Sequence, residues 1–400
     1  MFTAGRRPAG GSGEELMATS NAQSSRRRMI RVRFATNRNR TADDKLFGSE
    51  FRDVSDGLLF VTGTIDVYHR GGTPHPNWVP DRKSLRLDPP PKIASSSIPE
   101  AVSAAPSTSD AMTGFIEDRA RAETQKGKTP RNSGIVFLHG FATTFIDAMS
   151  CSAEICSAYG ASDVFSFSWP SQGRFGPIEY LMDRDSAYKS GSAIALSLSA
   201  AFSKLLSMAK SNRPNLHIVC HSMGVRALSA AIQIIAMSSV DLLSANYFEY
   251  ALLMAADEDD DALDEPNKLK PLLTLATNID AYTNENDVAM FLSSIANLRQ
   301  PLGWFGPAGF GNLPKKVILI DCTDVGNTYK NDGSPDFGHH YFRRSERVIA
   351  DVSQVLLGTP ADKIVPRIPN HRFPKRKFVI PFGFDSAWGR TRGYKASELV

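Results

Sequence analysis

The sequence of 400 residues has few cysteines and no long apolar run. Its four cysteines, Cys151, Cys156, Cys220 and Cys322, form no paired C-x-x-C spacing, so we expect neither a disulfide framework nor a zinc site. No stretch of about 18 apolar residues is present, and the first residues contain arginines without an apolar segment. We therefore expect no membrane span and no secretory signal, and a cytoplasmic location.

The net charge of +4 is unevenly distributed along the chain. Residues 1–40 contain nine arginines and two glutamates, and residues 367–400 contain eight Lys or Arg and two acids. The two ends therefore carry +7 and +6, which leaves −9 for the middle of the chain. A negatively charged body argues against nucleic acid as the substrate, because a polyanion would be repelled.

The composition divides the chain into three parts. Residues 1–29 are rich in Gly, Ser, Ala and Arg without periodicity, which predicts a disordered basic N-terminal tail. Residues 30–358 are expected to form one folded domain, interrupted at 80–110 by a Pro-, Ser- and Ala-rich loop or linker. Residues 359–400 are expected to form a basic C-terminal extension.

Apolar strand segments alternate with helical segments along most of the folded part. Strands are expected at 30–35 and 57–68, and then near 134–138, 163–168, 215–220, 249–255, 272–282 and 316–321. Helices are expected near 112–124, 145–158, 183–210, 224–238, 284–298 and 344–357. This alternation predicts an α/β fold with a mostly parallel central sheet and helices on both faces.

One tetrapeptide, His221-Ser222-Met223-Gly224, lies between an apolar strand segment and an apolar helical segment. A serine at such a junction is typical of a nucleophile elbow, whose strained turn needs small residues two positions to either side. Gly224 meets this demand on one side, and Cys220 replaces the usual glycine on the other. The alternative is that Ser222 only caps the helix.

Two other segments accompany the serine in the order expected of a serine hydrolase. An apolar strand at 134–138 ends in His139-Gly140, where such enzymes place half of the oxyanion hole. We expect the backbone N–H groups of Phe141 and Met223 to form that hole. Downstream, residues 338–342 supply a histidine after the nucleophile and the acid.

Seven motifs together resemble those of the bacterial α/β-hydrolase family DUF900, whose function is unknown. They are FATNR at 34–38, GTIDVYHR at 63–70, HGFATTF at 139–145, FSWPSQG at 167–173, CHSMGVR at 220–226, MAADEDD at 254–260 and GHHYF at 338–342. The resemblance covers about residues 30–357. It implies an α/β-hydrolase fold and a serine hydrolase without a well-defined substrate.

The resemblance also implies His339 as the base, because it occupies the family position, with the adjacent His340 as the alternative. Two carboxylates compete for the role of the acid. Asp287 follows the strand two places after the nucleophile strand, which is the common position for the residue that orients the histidine. Asp257 ends the strand directly after the nucleophile strand. We favour Asp287 and keep Asp257 as the alternative.

These residues predict a cofactor-free serine hydrolase that cleaves a small carboxylic ester through an acyl-enzyme. Trp169 is a candidate pocket wall, and Trp304 lies in a Gly- and Pro-rich loop that is a candidate cover for the pocket. Acyl transfer or thioester cleavage would use the same triad. A non-catalytic binding protein whose basic ends dock an anionic partner is the alternative from another class.

Overall fold

The computed structural model describes residues 28–43, 46–70, 77–89, 111–126, 133–325 and 338–381. The expected N-terminal tail therefore lies outside the described residues except for its last two positions. The expected loop at 80–110 is described as far as residue 89, and the expected extension at 359–400 as far as residue 381.

The described residues form one large sheet and one small one. The strands are β1 (Met29–Thr36), β2 (Arg38–Arg40), β3 (Phe47–Phe51), β4 (Val61–Arg70), β5 (Asn77–Pro80), β6 (Arg86–Leu87), β7 (Gly134–Leu138), β8 (Asp163–Ser168), β9 (Leu216–His221), β10 (Phe248–Met254), β11 (Ala276–Thr283), β12 (Val317–Asp321), β13 (Ile368–Pro369) and β14 (Lys377–Val379). Strands β2 and β3 pair with each other. The large sheet has the order β13-β14-β12-β11-β10-β9-β7-β8-β1-β4-β5, and β6 pairs with β4.

The centre of the large sheet is parallel. Every neighbouring pair from β14 through β12, β11, β10, β9, β7 and β8 to β1 is parallel. Antiparallel pairs occur at the edges, where β4 pairs with β1 and β5, and β13 pairs with β14. The parallel strands are apolar and buried along most of their length, as expected for a sheet that is covered on both faces.

Helices cover both faces of this sheet. They are α1 (Ala111–Lys126), α2 (Phe145–Ala158), α3 (Pro177–Lys189), α4 (Gly191–Ser207), α5 (Gly224–Ser238), α6 (Leu272–Leu275), α7 (Val288–Asn297), α8 (Leu302–Phe305), α9 (Tyr341–Arg344) and α10 (Glu346–Leu356). One apolar core includes Phe115 of α1, Phe202 of α4 and Ile232 of α5. A second core includes Met149 of α2 and Val352 of α10. The predicted α/β class, with a mostly parallel sheet between two helical layers, is confirmed.

Several predicted elements differ from the observed ones for local physical reasons. The helix expected at 183–210 is two helices, α3 and α4, which meet at Ser190. At their junction, a Cβ on Gly191 would lie 2.8 Å from the Cβ of Ala230, so the start of α4 is in close contact with α5. The strand expected at 272–282 begins with the short helix α6, and β11 starts only at Ala276.

The sheet continues past the boundary expected at residue 358. Strand β14 pairs in parallel with β12, and Phe378 of β14 is buried. Part of the segment expected to be a basic extension therefore belongs to the sheet. Strand β14 is only three residues long, which is too short for a periodic pattern in the sequence to reveal it.

All four cysteines are free thiols in this fold. In the part of the chain that the structure describes, no cluster of three or more His, Cys, Asp or Glu side chains has the arrangement of a metal site. That same part contains no helix of the length and hydropathy needed to span a membrane.

Candidate active site

The candidate residues gather at one edge of the sheet. Strands β7, β9, β11 and β12 run in parallel, so the loops that follow them emerge at the same, carboxyl-terminal edge. These loops carry His139-Gly140, Ser222, Asp287 and, after β12, His339. In open α/β sheets this edge is where ligands bind.

Ser222 has the backbone conformation of a nucleophile elbow. Its φ is +52°, a value that is rare and strained for a residue with a side chain. The turn is held by two hydrogen bonds, from Ser222 N to Met254 O at 2.9 Å and from Asp257 N to Ser222 O at 3.1 Å. A Cβ on Gly224 would lie 2.5 Å from the carbonyl oxygen of His139, so the start of α5 requires glycine.

The loop after β7 packs directly on this turn. A Cβ on Gly140 would lie 2.8 Å from the Cβ of Ser222 and 2.9 Å from Nδ1 of His221. The next N–H group is that of Phe141, and the N–H of Met223 begins the turn into α5. Neither group donates a hydrogen bond to another described residue. Both donors thus remain available beside the serine.

The side chains of His139 and Trp169 pack against each other and support the loop after β7. The rings stack at 4.9 Å, and Trp169 Nε1 donates to the carbonyl oxygen of His139 at 2.9 Å. Burial, with the nearby Arg38 charge, lowers the pKa of His139 to about 3, so the ring stays neutral. Trp169 is fully buried and is not among the residues that line the cavity described below. Its indole packs under the loop instead.

His339 and Asp287 are joined by a short hydrogen bond. His339 Nδ1 lies 2.7 Å from Asp287 Oδ2, and the Asp287 side chain is fully buried. Because a carboxylate accepts, Nδ1 carries the proton in the neutral ring, and Nε2 is then the basic nitrogen. The other carboxylate oxygen, Oδ1, accepts from the N–H groups of Ala289 and Met290 and caps α7. Asp287 is therefore held rigidly by the helix that it begins.

The histidine loop is anchored to the loop of the acid. Asn284 Nδ2 donates to the carbonyl oxygen of Gly338 at 2.8 Å. Gly338 has a φ of +75°, and a Cβ there would lie 3.0 Å from Asn284 Nδ2. A side chain at position 338 would thus strain the turn that presents His339.

His221, which precedes the serine, contacts the candidate base. The His221 and His339 rings are 4.6 Å apart, and His221 Nε2 lies 3.3 Å from the carbonyl oxygen of His339. Since a carbonyl can only accept, Nε2 of His221 donates. Burial lowers the pKa of His221 well below its usual value, and the nearby His339 adds to this effect. His221 thereby brings the histidine loop close to the serine turn.

The two alternatives that the sequence left open have other surroundings. Asp257 accepts from Ser293 Oγ at 2.6 Å and from Tyr180 Oη at 2.8 Å, and it pairs with Arg226 at 3.3 Å. None of these contacts involves a histidine. Burial lowers the pKa of His340 well below its usual value, and the nearby charges of Arg343 and His339 lower it further. Nδ1 of His340 has no hydrogen-bond partner among the described residues, so no carboxylate there orients the ring through this nitrogen.

A comparison with known protein families shows to which family the chain belongs. The profile of the family described as "Alpha/beta hydrolase of unknown function (DUF900)" matches residues 116–359. The chain belongs to the DUF900 family. No curated protein matches it.

Two solved structures are remotely similar. One belongs to the study of LipS and LipT, two metagenome-derived lipolytic enzymes, with 14% identity, a TM-score of 0.21, and coverage of 48% of this chain and 72% of that one. The other is the peroxisomal α/β-hydrolase Lpx1 from Saccharomyces cerevisiae, with 12% identity, a TM-score of 0.24, and coverage of 90% of this chain and 83% of that one. The assignment to DUF900 depends on neither.

A cavity of about 580 Å³ opens beside these DUF900 motifs. Its lining includes His139, Gly140, Phe141, His221 and His339, together with Val288 and Ala289 at the start of α7. Charged residues also line it, among them Asp147, Glu154, Arg343 and Arg344. A second cavity, of about 690 Å³, lies at the other end of β9 and β10 and contains none of the candidate residues.

Trp304 does not line the cavity beside the DUF900 motifs. Its Nε1 donates to the carbonyl oxygen of Glu285 at 2.9 Å, and its ring contacts Phe291 at 5.9 Å. Gly303 N donates to Ala256 O at 2.8 Å, which holds the loop against the end of β10. The Trp304 indole thus packs beside α7.

Two buried charged side chains hold the loops of the site in place. The sequence analysis did not predict either of them. Arg38, which follows β1, donates to the carbonyl oxygens of Thr143 at 2.7 Å and Ser171 at 3.1 Å. Asp183 accepts from Ala142 N at 3.1 Å and Gln172 N at 2.8 Å. Burial lowers the pKa of Arg38 to about 9 and raises that of Asp183. The pair holds the loops after β7 and β8 together, and no local pattern in the sequence indicates that either side chain is buried.

Proposed function

We propose that this protein is a serine hydrolase that cleaves a carboxylic ester through an acyl-enzyme. Ser222 is the nucleophile, His339 the base and Asp287 the acid that orients it. The observation that carries the proposal is the 2.7 Å contact of His339 Nδ1 with Asp287 Oδ2. The loop that carries His339 contacts His221, the residue before Ser222. A base oriented by a buried carboxylate beside a strained serine is the arrangement that activates a hydroxyl.

In the first half of the reaction, Ser222 Oγ attacks the ester carbonyl carbon and its proton passes to His339 Nε2. The Asp287 carboxylate stabilises the imidazolium that forms. Collapse of the tetrahedral intermediate breaks the bond to the leaving oxygen, which takes the proton from His339 and departs as an alcohol. The acyl group remains on Ser222.

In the second half, water attacks the acyl-enzyme and gives its proton to His339. The new intermediate collapses, the bond to Ser222 Oγ breaks, and His339 returns the proton to the serine. The product is a carboxylic acid, and the enzyme is regenerated. No cofactor takes part in these steps.

The backbone N–H groups of Phe141 and Met223 form the oxyanion hole in this proposal. The support is that neither donates a hydrogen bond to another of the described residues and that both flank the Ser222 turn. A removed donor of this kind typically costs about 2.7 to 4 kcal/mol of transition-state stabilisation. The brace formed by Arg38 and Asp183 keeps the first of these donors in place, because Ala142 directly follows Phe141.

The cavity supports a small-molecule ester as the substrate. Its volume of about 580 Å³ lies within the range of small-molecule sites. Only short turns and helix α6 separate β10 from β11, so no cap domain is inserted at that point. Phe141 and Val288 offer apolar contacts, and the arginines of α9 offer polar ones.

The experiment that tests the proposal is labelling of the purified protein with a fluorophosphonate probe, followed by intact-mass measurement. We expect a single adduct on the wild type and none on Ser222→Ala. A panel of p-nitrophenyl esters of increasing acyl length then defines the substrate. Absence of an adduct on folded wild-type protein would contradict the proposal and favour the non-catalytic binding protein.

A further inference from the structure

The tyrosine that follows the two histidines of the site is completely buried. Tyr341 is the first residue of α9, two positions after His339, and its side chain belongs to the second apolar core. The reaction described above does not use it. A tyrosine buried in an apolar core normally has a hydrogen-bond partner for its hydroxyl group. The partners of Tyr341 therefore show what the hydroxyl holds in place.

The Tyr341 hydroxyl makes two hydrogen bonds, both to backbone groups. It donates to the carbonyl oxygen of Tyr282 at 2.8 Å and accepts from Ala255 N at 3.0 Å. A phenolic oxygen has one proton to donate and can accept at the same time, so both bonds form together. Burial raises the pKa of Tyr341 well above its usual value, so the proton that it donates stays on the oxygen.

Ala255 lies in the segment that holds the serine turn. It follows Met254, whose carbonyl oxygen accepts from Ser222 N at 2.9 Å, and precedes Asp257, whose N–H donates to Ser222 O at 3.1 Å. The φ of Ala255 is +47°, which is uncommon for a residue with a side chain. The Tyr341 hydroxyl thus contacts a strained residue between the two that hold the nucleophile.

Tyr282 lies in the segment that leads to the acid. It is the next-to-last residue of β11, and Asp287 follows five positions later. The carbonyl oxygen of Tyr282 also accepts from Ala255 N, at 3.2 Å. The Tyr341 hydroxyl therefore lies where the ends of β10 and β11 meet, and it joins the segments of the nucleophile, the acid and the base.

A second buried tyrosine holds the same histidine loop from another direction. Tyr159 Oη donates to the carbonyl oxygen of Phe342 at 2.6 Å, and Tyr159 is the C-cap residue of α2. It is 2% exposed, so its burial is similar to that of Tyr341. Its bond attaches the loop to α2 and does not involve β10 or β11. The two hydroxyls therefore differ in what they connect, and much less in burial or in the type of bond.

We propose that Tyr341 is a positioning residue of the triad, whose hydroxyl fixes the place of the His339 loop relative to the Ser222 turn. This inference rests on the proposed function, because it assumes that His339 activates Ser222. Tyr341 acts through backbone groups and does not touch the reacting atoms. A displacement of about 1 Å in an active site can lower the rate by about 10²-fold, so a fixed loop position has a large effect.

The test is Tyr341→Phe, which removes the hydroxyl and keeps the ring that packs in the core. The rate of Ser222 labelling is measured at a series of concentrations of a fluorophosphonate, which separates the limiting rate from the half-saturating concentration. We expect the limiting rate to fall by about 10- to 10²-fold. The half-saturating concentration should change little, because the hydroxyl does not line the cavity and a positioning defect acts on the chemical step.

The matched control is Tyr159→Phe, which removes a hydroxyl of similar burial from the same loop. Both variants leave a buried carbonyl without a donor, so we expect similar downward shifts of the midpoint of urea unfolding. Tyr159→Phe should nevertheless keep a limiting rate close to that of the wild type. A loss of rate in Tyr341→Phe alone supports the proposal. Equal losses of rate in the two variants would overturn it, because they would reflect a general loosening of the loop.

The wild-type protein in the same experiment separates this inference from the proposed function. If Ser222 is labelled and Tyr341→Phe has the wild-type limiting rate, only the positioning role of Tyr341 is rejected. If the folded wild type is not labelled, the serine hydrolase is rejected, and the positioning role is rejected with it. Ser222→Ala gives the background in both cases.

Discussion

Two buried aspartates follow neighbouring strands of the sheet, Asp257 after β10 and Asp287 after β11. Their positions relative to the strands are similar, but their partners in the folded protein differ. Asp287 contacts a histidine at 2.7 Å, and Asp257 contacts Arg226, Tyr180 and Ser293. A carboxylate beside an imidazole can orient a base, whereas one beside a guanidinium forms a permanent ion pair. The partner, more than the burial, distinguishes the two acids.

Asp257 belongs to a cluster of buried charges with Glu258 and Arg226, which we call the clamp. Arg226, on α5 one turn after Ser222, also lies 3.3 Å from Glu258. Burial lowers the pKa of Arg226, but the charges of Asp257 and Glu258 outweigh it and raise the pKa above its usual value. The clamp therefore ties α5, which carries the serine turn, to the end of β10.

The largest expected effect comes from Asp287→Asn. Asparagine still caps α7, so the fold is preserved, but it favours the wrong tautomer of His339. We expect the acylation rate with a p-nitrophenyl ester to fall by about 10³- to 10⁴-fold. Stopped-flow release of p-nitrophenol measures it, with Ser222→Ala as the background. A loss of less than tenfold would show that Asp287 does not orient the base.

The next effect tests the clamp through Arg226→Met. Removal of the Arg226 guanidinium leaves Asp257 and Glu258 buried without their counter-charge, which typically lowers the free energy of unfolding by about 3 to 5 kcal/mol. Urea unfolding measures the change in the free energy of unfolding. The control is Lys204→Met, which breaks the more exposed pair with Glu117 and is expected to cost less than about 1 kcal/mol. Equal losses in the two variants would refute a buried clamp.

His217 is a buried histidine that can be compared with His339, which has a carboxylate partner. Both nitrogens of His217 lack a hydrogen-bond partner among the described residues, and burial lowers its pKa to about 3. The unfolded chain binds this proton near pH 6.5. The stability that neutral His217 contributes is thus present above pH 6.5 and lost as the pH falls towards 3.

His217→Leu should therefore make the stability less sensitive to acid. We expect the slope of the unfolding free energy against pH to decrease by up to about 1.4 kcal/mol per pH unit in that range. Urea unfolding at a series of pH values from neutral to acidic measures it. His139, which is also buried with a lowered pKa, remains in the variant and accounts for part of the residual slope. An unchanged slope would mean that His217 binds its proton equally well in the folded and the unfolded protein, which would contradict the lowered pKa.

The smallest effect is expected from Asp257→Asn. His339 does not contact this residue, and asparagine retains an acceptor for Ser293 and Tyr180. We expect an acylation rate within about tenfold of the wild type, or less than about 1.4 kcal/mol in activation free energy. The measurement is the same stopped-flow assay. A loss as large as that of Asp287→Asn would remove the distinction between the two aspartates.

The elements that sequence patterns predicted well are the ones with strong local signals. Strand β8 is found within its predicted bounds, and β9 and β10 are displaced by one residue. Short elements such as β14 and α6 were missed, because a few residues do not establish a period. The sequence does not show whether Trp169 and Trp304 line a cavity, since an indole next to a loop can either line a cavity or support the backbone, and only packing decides which.

By itself, the sequence determined the alternation of strands and helices, the serine between a strand and a helix, and the order of the candidate residues. Each of these depends on neighbours along the chain, such as Gly224 next to Ser222. Only the tertiary structure decided which acid meets His339, because the two residues are separated by 52 positions. It also decided that the apolar faces of α3 and α7 point to solvent, since a periodic stripe shows that a helix is two-sided but not which side the core takes.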